Sequence, residues 1–436
     1  MLKDIVHTLS TRVAVIPLGM LTGIIAARYL GPSDRGVMAL FLLFPYTVKT
    51  FCTLGLDTAS IYLHRKEKVA FETLFANCMA FGLAAGALLA AAVWLVRGWL
   101  PAKLFYDGGW LLGVALATVA PVLLYQYLGG LARAVGEFRK SNMRSVIDKV
   151  LDVGSMVMLF YVFHLGVFAY LVGHFVIITT IVLWMCWDLR PYIRQKIRPD
   201  LRVLGRMLKF GAKTYAQGIA SHAHYRADVY LVAIFLSRAD IAFYTIGAGL
   251  AERSLMLSDA MGTVLFPKLA SSDNREAALL TARASRYTLL MGAVVALVIC
   301  GSGRLLVEAL YGRDYLPAVT PMYFLVSGVL MIGMTRILMR YLTSLNVHQH
   351  NAYLVGGSAV ANIALNIWLI PAFGIVGAAI SSLTTYGLQG AWALYLFRRF
   401  SGLPLSAALI VTREDLAYFR GLAARIRPRQ AAPAAR

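Results

Sequence analysis

Long apolar stretches alternate with short polar segments along almost the whole chain. A helix needs roughly 20 apolar residues to cross a bilayer core of about 30 Å, and twelve stretches approach or exceed that length. The predicted spans lie near residues 8–29, 37–62, 72–96, 110–132, 143–163, 167–187, 207–235, 240–266, 284–306, 318–345, 352–370 and 374–397. This pattern predicts an all-α integral membrane protein with about twelve transmembrane helices.

The composition agrees with a membrane protein. Of the 436 residues, 59% are hydrophobic and only 14% are charged, and the mean hydropathy is +0.68, whereas soluble domains are about one quarter charged. Residues 1–10 lack a short apolar core followed by a small-residue cleavage site, so we expect the first span to be retained. The four cysteines lie far apart inside apolar stretches, which predicts neither a disulfide framework nor a zinc site.

The basic residues alternate in density from loop to loop. Of the 42 Lys and Arg residues, 28 lie on the side of the N-terminus, 7 lie on the opposite side and 7 fall within or beside spans. Because cytoplasmic loops carry the excess of Lys and Arg, both termini are predicted to be cytoplasmic. The formal charge of +21 therefore reflects membrane topology, and no nucleic-acid partner is expected because the basic segment 188–209 lacks interleaved exposed aromatic residues.

The two halves of the chain resemble each other at an offset of about 207 residues. LGPSDRGV from Leu30 aligns with LSRADIAF from Leu236, and LGVFAYLVG from Leu165 aligns with FGIVGAAIS from Phe373. Duplicated transporters enclose a cavity between their repeats. We predict an N-terminal six-helix lobe over residues 1–188, a basic cytoplasmic linker at 189–206, a C-terminal six-helix lobe over 207–399 and a cytoplasmic tail at 400–436.

The linker and the tail both carry amphipathic patterns. Apolar residues recur at helical spacing through the linker, which predicts a helix along the cytoplasmic leaflet; they are Ile193, Ile197, Leu201, Leu204 and Leu208. In the tail, Thr412 and Asp415 have capping-box spacing. An interfacial helix carrying Leu416, Phe419 and Ile426 should follow, and the Pro/Ala/Arg-rich end should be disordered.

The segment LGPSDRGVM contains an Asp-Arg pair that is superficially like the loop motif of the major facilitator transporters. That motif belongs on a cytoplasmic loop after the second span, whereas Asp34 and Arg35 follow the first span and should face outward. Gly31 and Pro32 should end the first helix, and the polar side chains are expected in water. The pair therefore does not indicate that class.

Charged residues inside the predicted spans are the candidate functional residues. A Lys or Arg at the bilayer centre costs about 2.5–3.5 kcal/mol, so it needs hydrated or paired surroundings. The candidate substrate-binding residues are Lys49, Arg253, Arg226 and Lys213, and the candidate coupling or counter-ion residues are Asp57, Asp228 and Glu252. Asp57 should follow Lys49 on the same helix face. Internal salt bridges are the alternative, and Lys213 could instead reach the headgroups.

The chemistry of these residues indicates an anionic cargo. Arginine gives forked hydrogen bonds to phosphate and lysine a point charge, so a cavity lined by them suits phosphate or pyrophosphate. Asp148, Lys149 and Asp152 are expected to form a surface network at the start of the fifth span. His222 and His224 lie about 200° apart on a helix and cannot share a metal, so no metal and no cofactor are expected. Without a nucleophilic triad or P-loop, the sequence does not predict an enzyme.

Three segments carry a resemblance to a known family. RYLGPSDRGVMAL with LGLDTASIYL, SRADIAFYTIGAGL, and NIALNIWLIPAFGIVGAAISSLTTYGL together resemble the polysaccharide transporters, which include the O-antigen flippases of the multidrug/oligosaccharidyl-lipid/polysaccharide (MOP) exporter superfamily. The resemblance implies two six-helix lobes around a central cavity lined by helices one, two, seven and eight. One departure is KFGAKTY, which lacks the proline that the family often has there, so a kink in helix seven is not expected from it.

The resemblance also implies a function and a location. The protein would move a polyprenyl-pyrophosphate-linked oligosaccharide from the cytoplasmic to the periplasmic leaflet of a bacterial inner membrane by alternating access. Its expected partners are this substrate, membrane lipids, and a polysaccharide polymerase and glycosyltransferases. A multidrug and toxin extrusion antiporter of the same fold is one alternative, which should have an acidic cavity. A membrane-embedded glycan polymerase or ligase is another, which the short outward loops disfavour.

Overall fold

The computed structural model describes residues 2–99, 109–345, 347, 349–412 and 415. This part of the chain forms thirteen α-helices and no strand. The helices are α1 (Leu2–Cys52), α2 (Leu56–Arg65), α3 (Phe71–Val96), α4 (Trp110–Ala134), α5 (Phe138–Val157), α6 (Val167–Leu189), α7 (Leu201–Phe235), α8 (Arg238–Glu252), α9 (Leu255–Ser271), α10 (Asn274–Leu310), α11 (Val319–Ser344), α12 (Gln349–Ser401) and α13 (Leu405–Leu409).

The helices follow the predicted spans in order, and the all-α membrane fold is confirmed. Seven stretches within the described residues are long and apolar enough to cross a membrane. Two of these stretches contain non-helical backbone, at Gly31 in α1 and Gly374 in α12, so they hold two predicted spans each. The three other predicted spans coincide with α5, α7 and the α8–α9 pair, which are the helices richest in embedded charge.

The second and eighth predicted spans are each broken in the middle. The second ends at Cys52 and resumes at Leu56, with positive φ angles of 46° at Leu54 and 68° at Gly55. The prediction that Asp57 continues the helix face of Lys49 is therefore wrong, because the two residues belong to different helices. The eighth is interrupted by a turn at Arg253 and Ser254.

A close backbone contact accompanies the break in the second span. A β-carbon on Gly211 of α7 would lie 2.0 Å from the carbonyl oxygen of Leu54, and one on Gly55 would lie 2.7 Å from the Gly211 Cα. Only glycine permits such an approach of two main chains. α7 itself runs unbroken from Leu201 to Phe235, in keeping with the missing proline.

The linker does not form the amphipathic helix expected from Ile193 onward. A short 3₁₀ turn at Arg190–Tyr192 is followed by irregular chain, and α7 begins after Asp200, whose side chain accepts hydrogen bonds from the amides of Arg202 and Val203. Pro199 removes an amide donor just before that cap, and the residue before a proline avoids helical backbone. The helix that the apolar spacing predicted therefore begins only at Leu201.

Two buried polar side chains of α3 hold the linker main chain. The Glu72 carboxylate accepts hydrogen bonds from the amides of Arg194 and Gln195 at 2.6 and 3.0 Å. Asn77 accepts from the Asp200 amide at 2.9 Å and donates to its carbonyl at 3.0 Å. These bonds satisfy main-chain groups that lie outside any helix. The linker is therefore fixed against α3.

The chain divides into two compact units. The first comprises residues 1–250, 302–325 and 355–382, and the second comprises 251–301, 326–354 and 383–436. The core of the first unit includes Leu56, Leu123 and Tyr127, all fully buried. The core of the second unit includes Met334 and Phe397, also fully buried.

The start of the tail belongs to the second unit and is bound there by α10. The capping box is confirmed: Thr412 donates to Asp415 through its amide and hydroxyl, and the Asp415 amide donates to the Thr412 hydroxyl. Arg286 of α10 binds the Asp415 carboxylate at 2.7 and 3.1 Å. Burial acts to raise the pKa of Asp415, but the hydrogen bonds from Arg286 and Thr412 outweigh it and hold that pKa well below its ordinary value. The predicted helix with Leu416, Phe419 and Ile426 lies outside the described residues.

Candidate functional site

The first unit contains a cavity of about 360 Å³. Its walls come from both halves of α1 and from α5, α6, α7 and α8. The lining residues are Gly19, Thr22, Gly23, Arg35, Met38, Ala39, Leu42, Leu43, Tyr46, Lys149, Asp152, Met156, Tyr170, His174, Arg226, Val229 and Thr245. Nine of these seventeen residues carry a charged or polar group, and the other eight are glycine or apolar.

The break in α1 brings Arg35 into this cavity. Gly31 has φ 71° and ψ 173°, so the chain changes direction there before α1 resumes. The expectation that Arg35 lies in water on an outward loop is wrong: its side chain lines the cavity, and its Nε is buried without a hydrogen-bond partner among the described residues. Asp34 is exposed, as expected.

A network of four side chains forms one side of the cavity. Asp152 accepts a hydrogen bond of 2.7 Å from the Tyr170 hydroxyl and lies 3.4 Å from both Lys149 Nζ and His174 Nδ1. Lys149 is also 3.7 Å from Asp148. The expected surface network is therefore wrong in its location, because Lys149, Asp152 and Met156 share a face of α5 that lines the cavity and Asp152 is only 5% exposed.

The predicted basic residues occupy different places. Arg226 of α7 lines the cavity with Arg35 and Lys149. Lys49 lies half-buried on α1, with its ammonium 5.6 Å from the ring centre of Tyr46, and Tyr46 also lines the cavity. Lys213 is in α7, but its side chain lies outside the described part of the structure.

The predicted acidic residues have close polar neighbours in the first unit. Asp57 accepts a hydrogen bond from Gln126 at 2.8 Å and pairs with Arg133 at 3.3 Å, both on α4. Asp228 is buried and accepts a hydrogen bond from the Tyr244 hydroxyl of α8.

Two further predicted residues belong to the second unit. Glu252 ends α8, and Arg253 lies in the turn before α9. Both side chains are partly exposed.

The cavity has a net positive charge. Three cationic side chains, Arg35, Lys149 and Arg226, and one carboxylate, Asp152, line it, and a second carboxylate, Asp148, lies 3.7 Å from Lys149. Coulomb attraction in such a concave, partly apolar site exceeds that in bulk water. The arrangement therefore suits an anion with several acceptor oxygens, since guanidinium groups bind phosphate oxygens in forked pairs.

Sequence reasoning did not identify His174 and Tyr170 as members of this site. His174 interrupts the apolar run LVGHFVII of the sixth span. A titratable residue inside a span is a functional candidate by default, so this position carried a usable signal. Tyr170 carried none, since tyrosine is common in membrane helices.

Comparison of the sequence with known proteins identifies a matching family and a relative. The family described as polysaccharide biosynthesis protein matches residues 25–320. A curated relative from Haloferax volcanii, the probable low-salt glycan biosynthesis flippase Agl15, is 21% identical over 214 residues, which is 48% of this chain and 45% of that protein. The aligned part of the chain thus spans less than half the length of that relative.

Solved structures share the fold at low sequence identity. The lipid II flippase MurJ in an inward closed conformation superposes with a TM-score of 0.78 at 13% identity, covering 98% of this chain and 93% of MurJ. An inward-facing MATE multidrug transporter of the MOP superfamily gives 0.73 at 12% identity, covering 91% and 99%.

A third solved structure shares the fold and is described by the polarity of its binding pocket. This MOP superfamily transporter from Pyrococcus furiosus, described as having a binding pocket of reversed polarity, gives a TM-score of 0.61 at 12% identity and covers 91% and 96% of the two chains. The resemblance expected from the sequence is confirmed. Because the family match covers more than half of the 436 residues, the chain belongs to the polysaccharide biosynthesis protein family.

Proposed function

We propose that this protein is a flippase that moves polyprenyl-pyrophosphate-linked oligosaccharide from the cytoplasmic to the periplasmic leaflet by alternating access. The observation that carries the proposal is the cavity that Arg35, Lys149 and Arg226 line together. Family membership and the likeness to proteins described as flippases support it. Translocation needs no covalent chemistry, so the protein acts as a transporter and not as an enzyme.

The cavity charges define how the cargo would be held. The diphosphate carries two negative charges as a diester, and three cationic side chains line the cavity that would receive it. Arg35 and Arg226 would form forked hydrogen bonds to its oxygens and Lys149 would supply a point charge. The polyprenyl chain would remain in lipid while the glycan occupies hydrated space.

The predicted site residues that do not line the cavity have separate proposed roles. Lys49 and Arg253 would contact the diphosphate at another stage of the transport cycle, and replacing either by Ala should abolish transport in a protein that still inserts. Asp57, Asp228 and Glu252 remain coupling candidates. Of these, Asp57 is already engaged by Arg133 and Gln126, which favours a role in stability over one in coupling.

The topology and location follow from the same proposal. Lobes at residues 1–188 and 207–399 would move during transport, with both termini in the cytoplasm of a bacterium and the protein in its inner membrane. Glycosyltransferases would supply the lipid-linked substrate, and a polysaccharide polymerase would consume it. The charge distribution of the loops supports this orientation.

The MATE-type alternative shares the fold, so charge is the discriminating feature. A cavity with three cations and one carboxylate repels a cationic drug and attracts a diphosphate. The polymerase or ligase alternative requires catalytic groups on outward loops, and the spacing between predicted spans leaves only short segments there. The flippase therefore fits the charge distribution best.

Reconstitution tests the proposal. The full chain is inserted into proteoliposomes with a fluorescent polyprenyl-diphosphate oligosaccharide, and a membrane-impermeant quencher reports its arrival in the other leaflet. We expect protein-dependent translocation of this lipid and no protein-dependent movement of a cationic dye. Dye transport without lipid translocation would instead establish the antiporter.

A further inference from the structure

His174 is a buried histidine in the cavity that the proposed function has not used. It lies on α6, is 6% exposed and lines the cavity wall. Its Nδ1 faces a carboxylate oxygen of Asp152 at 3.4 Å, while its Nε2 is buried and makes no hydrogen bond with any described residue. A buried ring nitrogen without a partner is unusual in a folded protein and calls for an explanation.

The two ring nitrogens have different roles. A carboxylate accepts hydrogen bonds, so Nδ1 carries a proton and donates a hydrogen bond to Asp152. In the neutral ring Nε2 then has a lone pair and no proton. An anion that approaches this nitrogen meets a lone pair, whereas a protonated Nε2 would offer it a hydrogen bond.

Charged and titratable groups surround the ring from several helices. On α5 these are Lys149, Asp148 and Asp152, and Asp152 also accepts the Tyr170 hydroxyl of α6. Arg35 and Tyr46 on α1 and Arg226 on α7 line the same cavity, and Tyr125 on α4 lies near Asp148. Asp152 therefore serves as the counter-ion of Lys149 and would also serve a protonated His174.

We propose that His174 is the titratable member of the diphosphate site, and that its Nε2 takes up one proton from water when the anion binds. This inference rests on the proposed function. The proton remains on Nε2 and is shared in a hydrogen bond to a phosphoryl oxygen, and no bond to phosphorus forms or breaks. Tyr170 and Asp152 hold the ring in the orientation that directs Nδ1 to the carboxylate.

Proton uptake and anion binding strengthen each other. Without the anion, a proton on the buried Nε2 would have no acceptor, and an unpaired buried donor is costly. With the anion, the proton gains an acceptor and the cavity gains one positive charge. By linkage, the diphosphate affinity should fall by up to about 10-fold for each pH unit of increase, within the range of about pH 6 to 8 where histidine ordinarily changes charge.

Binding measurements on the full chain in nanodiscs test this inference. The probe is citronellyl-diphosphate-linked N-acetylglucosamine, whose diphosphate is esterified at both ends and keeps its charge over this pH range. The variants are His174→Gln, which removes the titration and keeps a polar side chain, and His64→Gln as a matched control. His64 lies at the end of α2, where its Nδ1 is 3.1 Å from the Val69 carbonyl.

We expect the wild-type protein and His64→Gln to lose affinity with rising pH, and His174→Gln to bind equally weakly across the range. Asp152→Asn, which removes the counter-ion, should move the pH dependence of the affinity to lower pH. If His174→Gln folds poorly, this variant still tests the role of His174.

Two results separate the possible failures. A pH dependence retained in His174→Gln, or absent from the wild-type protein that still binds, would overturn the role of His174 alone. No diphosphate binding by the wild-type protein at any pH would overturn the anion cavity itself, and the role of His174 with it.

Discussion

Removing the charge of Arg226 is the sharpest single perturbation of the cavity. Arg226→Gln keeps a hydrogen-bond donor on a shorter side chain and removes the positive charge. The lining then loses one of its three cationic side chains. Arg226 was predicted from the sequence as a substrate contact, so this variant also tests that prediction.

The magnitude follows from Coulomb's law. At about 6 Å, one pair of unit charges interacts by about 0.7 kcal/mol in bulk water and by about 2.8 kcal/mol at an effective dielectric constant of about 20. A hydrated cavity in a membrane protein lies between these limits. We therefore expect a loss of about 1–3 kcal/mol in binding free energy, which is an increase in Kd of about 5- to 150-fold.

The assay is equilibrium binding of a diphosphate-linked sugar to the full chain in nanodiscs at fixed pH and salt. The matched control is Arg313→Gln, which removes the same charge from an arginine whose side chain is 85% exposed and paired with Glu308. Arg313→Gln should bind like the wild-type protein. An unchanged Kd in Arg226→Gln, with the protein folded, would refute the electrostatic reasoning.

Three further predictions concern stability, each measured by thermal unfolding in detergent unless stated. Glu72→Ala should lower the free energy of unfolding by about 1–3 kcal/mol, because two linker amides lose their acceptor. Wild-type stability in this variant would contradict the role of Glu72 in holding the linker. Gly211→Ala should cost about 1–3 kcal/mol or more through its main-chain clash, whereas Gly205→Ala in the same helix has open space and should be neutral or stabilising. Arg286→Gln should lower the free energy of unfolding by about 3–5 kcal/mol, because the buried Asp415 carboxylate loses its cationic partner. Because the folded-state pKa of Asp415 is lowered, wild-type tail docking should weaken as pH falls below about 3.9, and limited proteolysis of the tail should show this.

The sequence predicted the number and order of the helices well, because hydrophobic length is a strong signal in membrane proteins. It did not predict the break at Leu54 and Gly55. That break accompanies a tertiary contact with Gly211, 156 residues further along the chain, and apolar residues continue on both sides of it. The predicted helix of the linker was wrong for a related reason. Apolar spacing suggested a helix, whereas Pro199 and the hydrogen bonds to Glu72 and Asn77 favour irregular chain.

The candidate site was predicted in part. Arg226 was identified because embedded charge is rare and conspicuous. Arg35 was assigned to water because a Gly-Pro sequence normally marks a loop, and only the backbone direction at Gly31 shows that the residue lines a cavity. Lys149 and Asp152 were read as a surface pair because they lie near the predicted end of a span, although helix periodicity places them on one face.

The most direct test of the central claim is a structure of the full chain with a bound polyprenyl-diphosphate oligosaccharide, determined by electron cryomicroscopy in nanodiscs. We expect diphosphate density within hydrogen-bond distance of Arg35 and Arg226, beside Lys149. Diphosphate density bound elsewhere, with these three side chains contacting only protein groups, would contradict it.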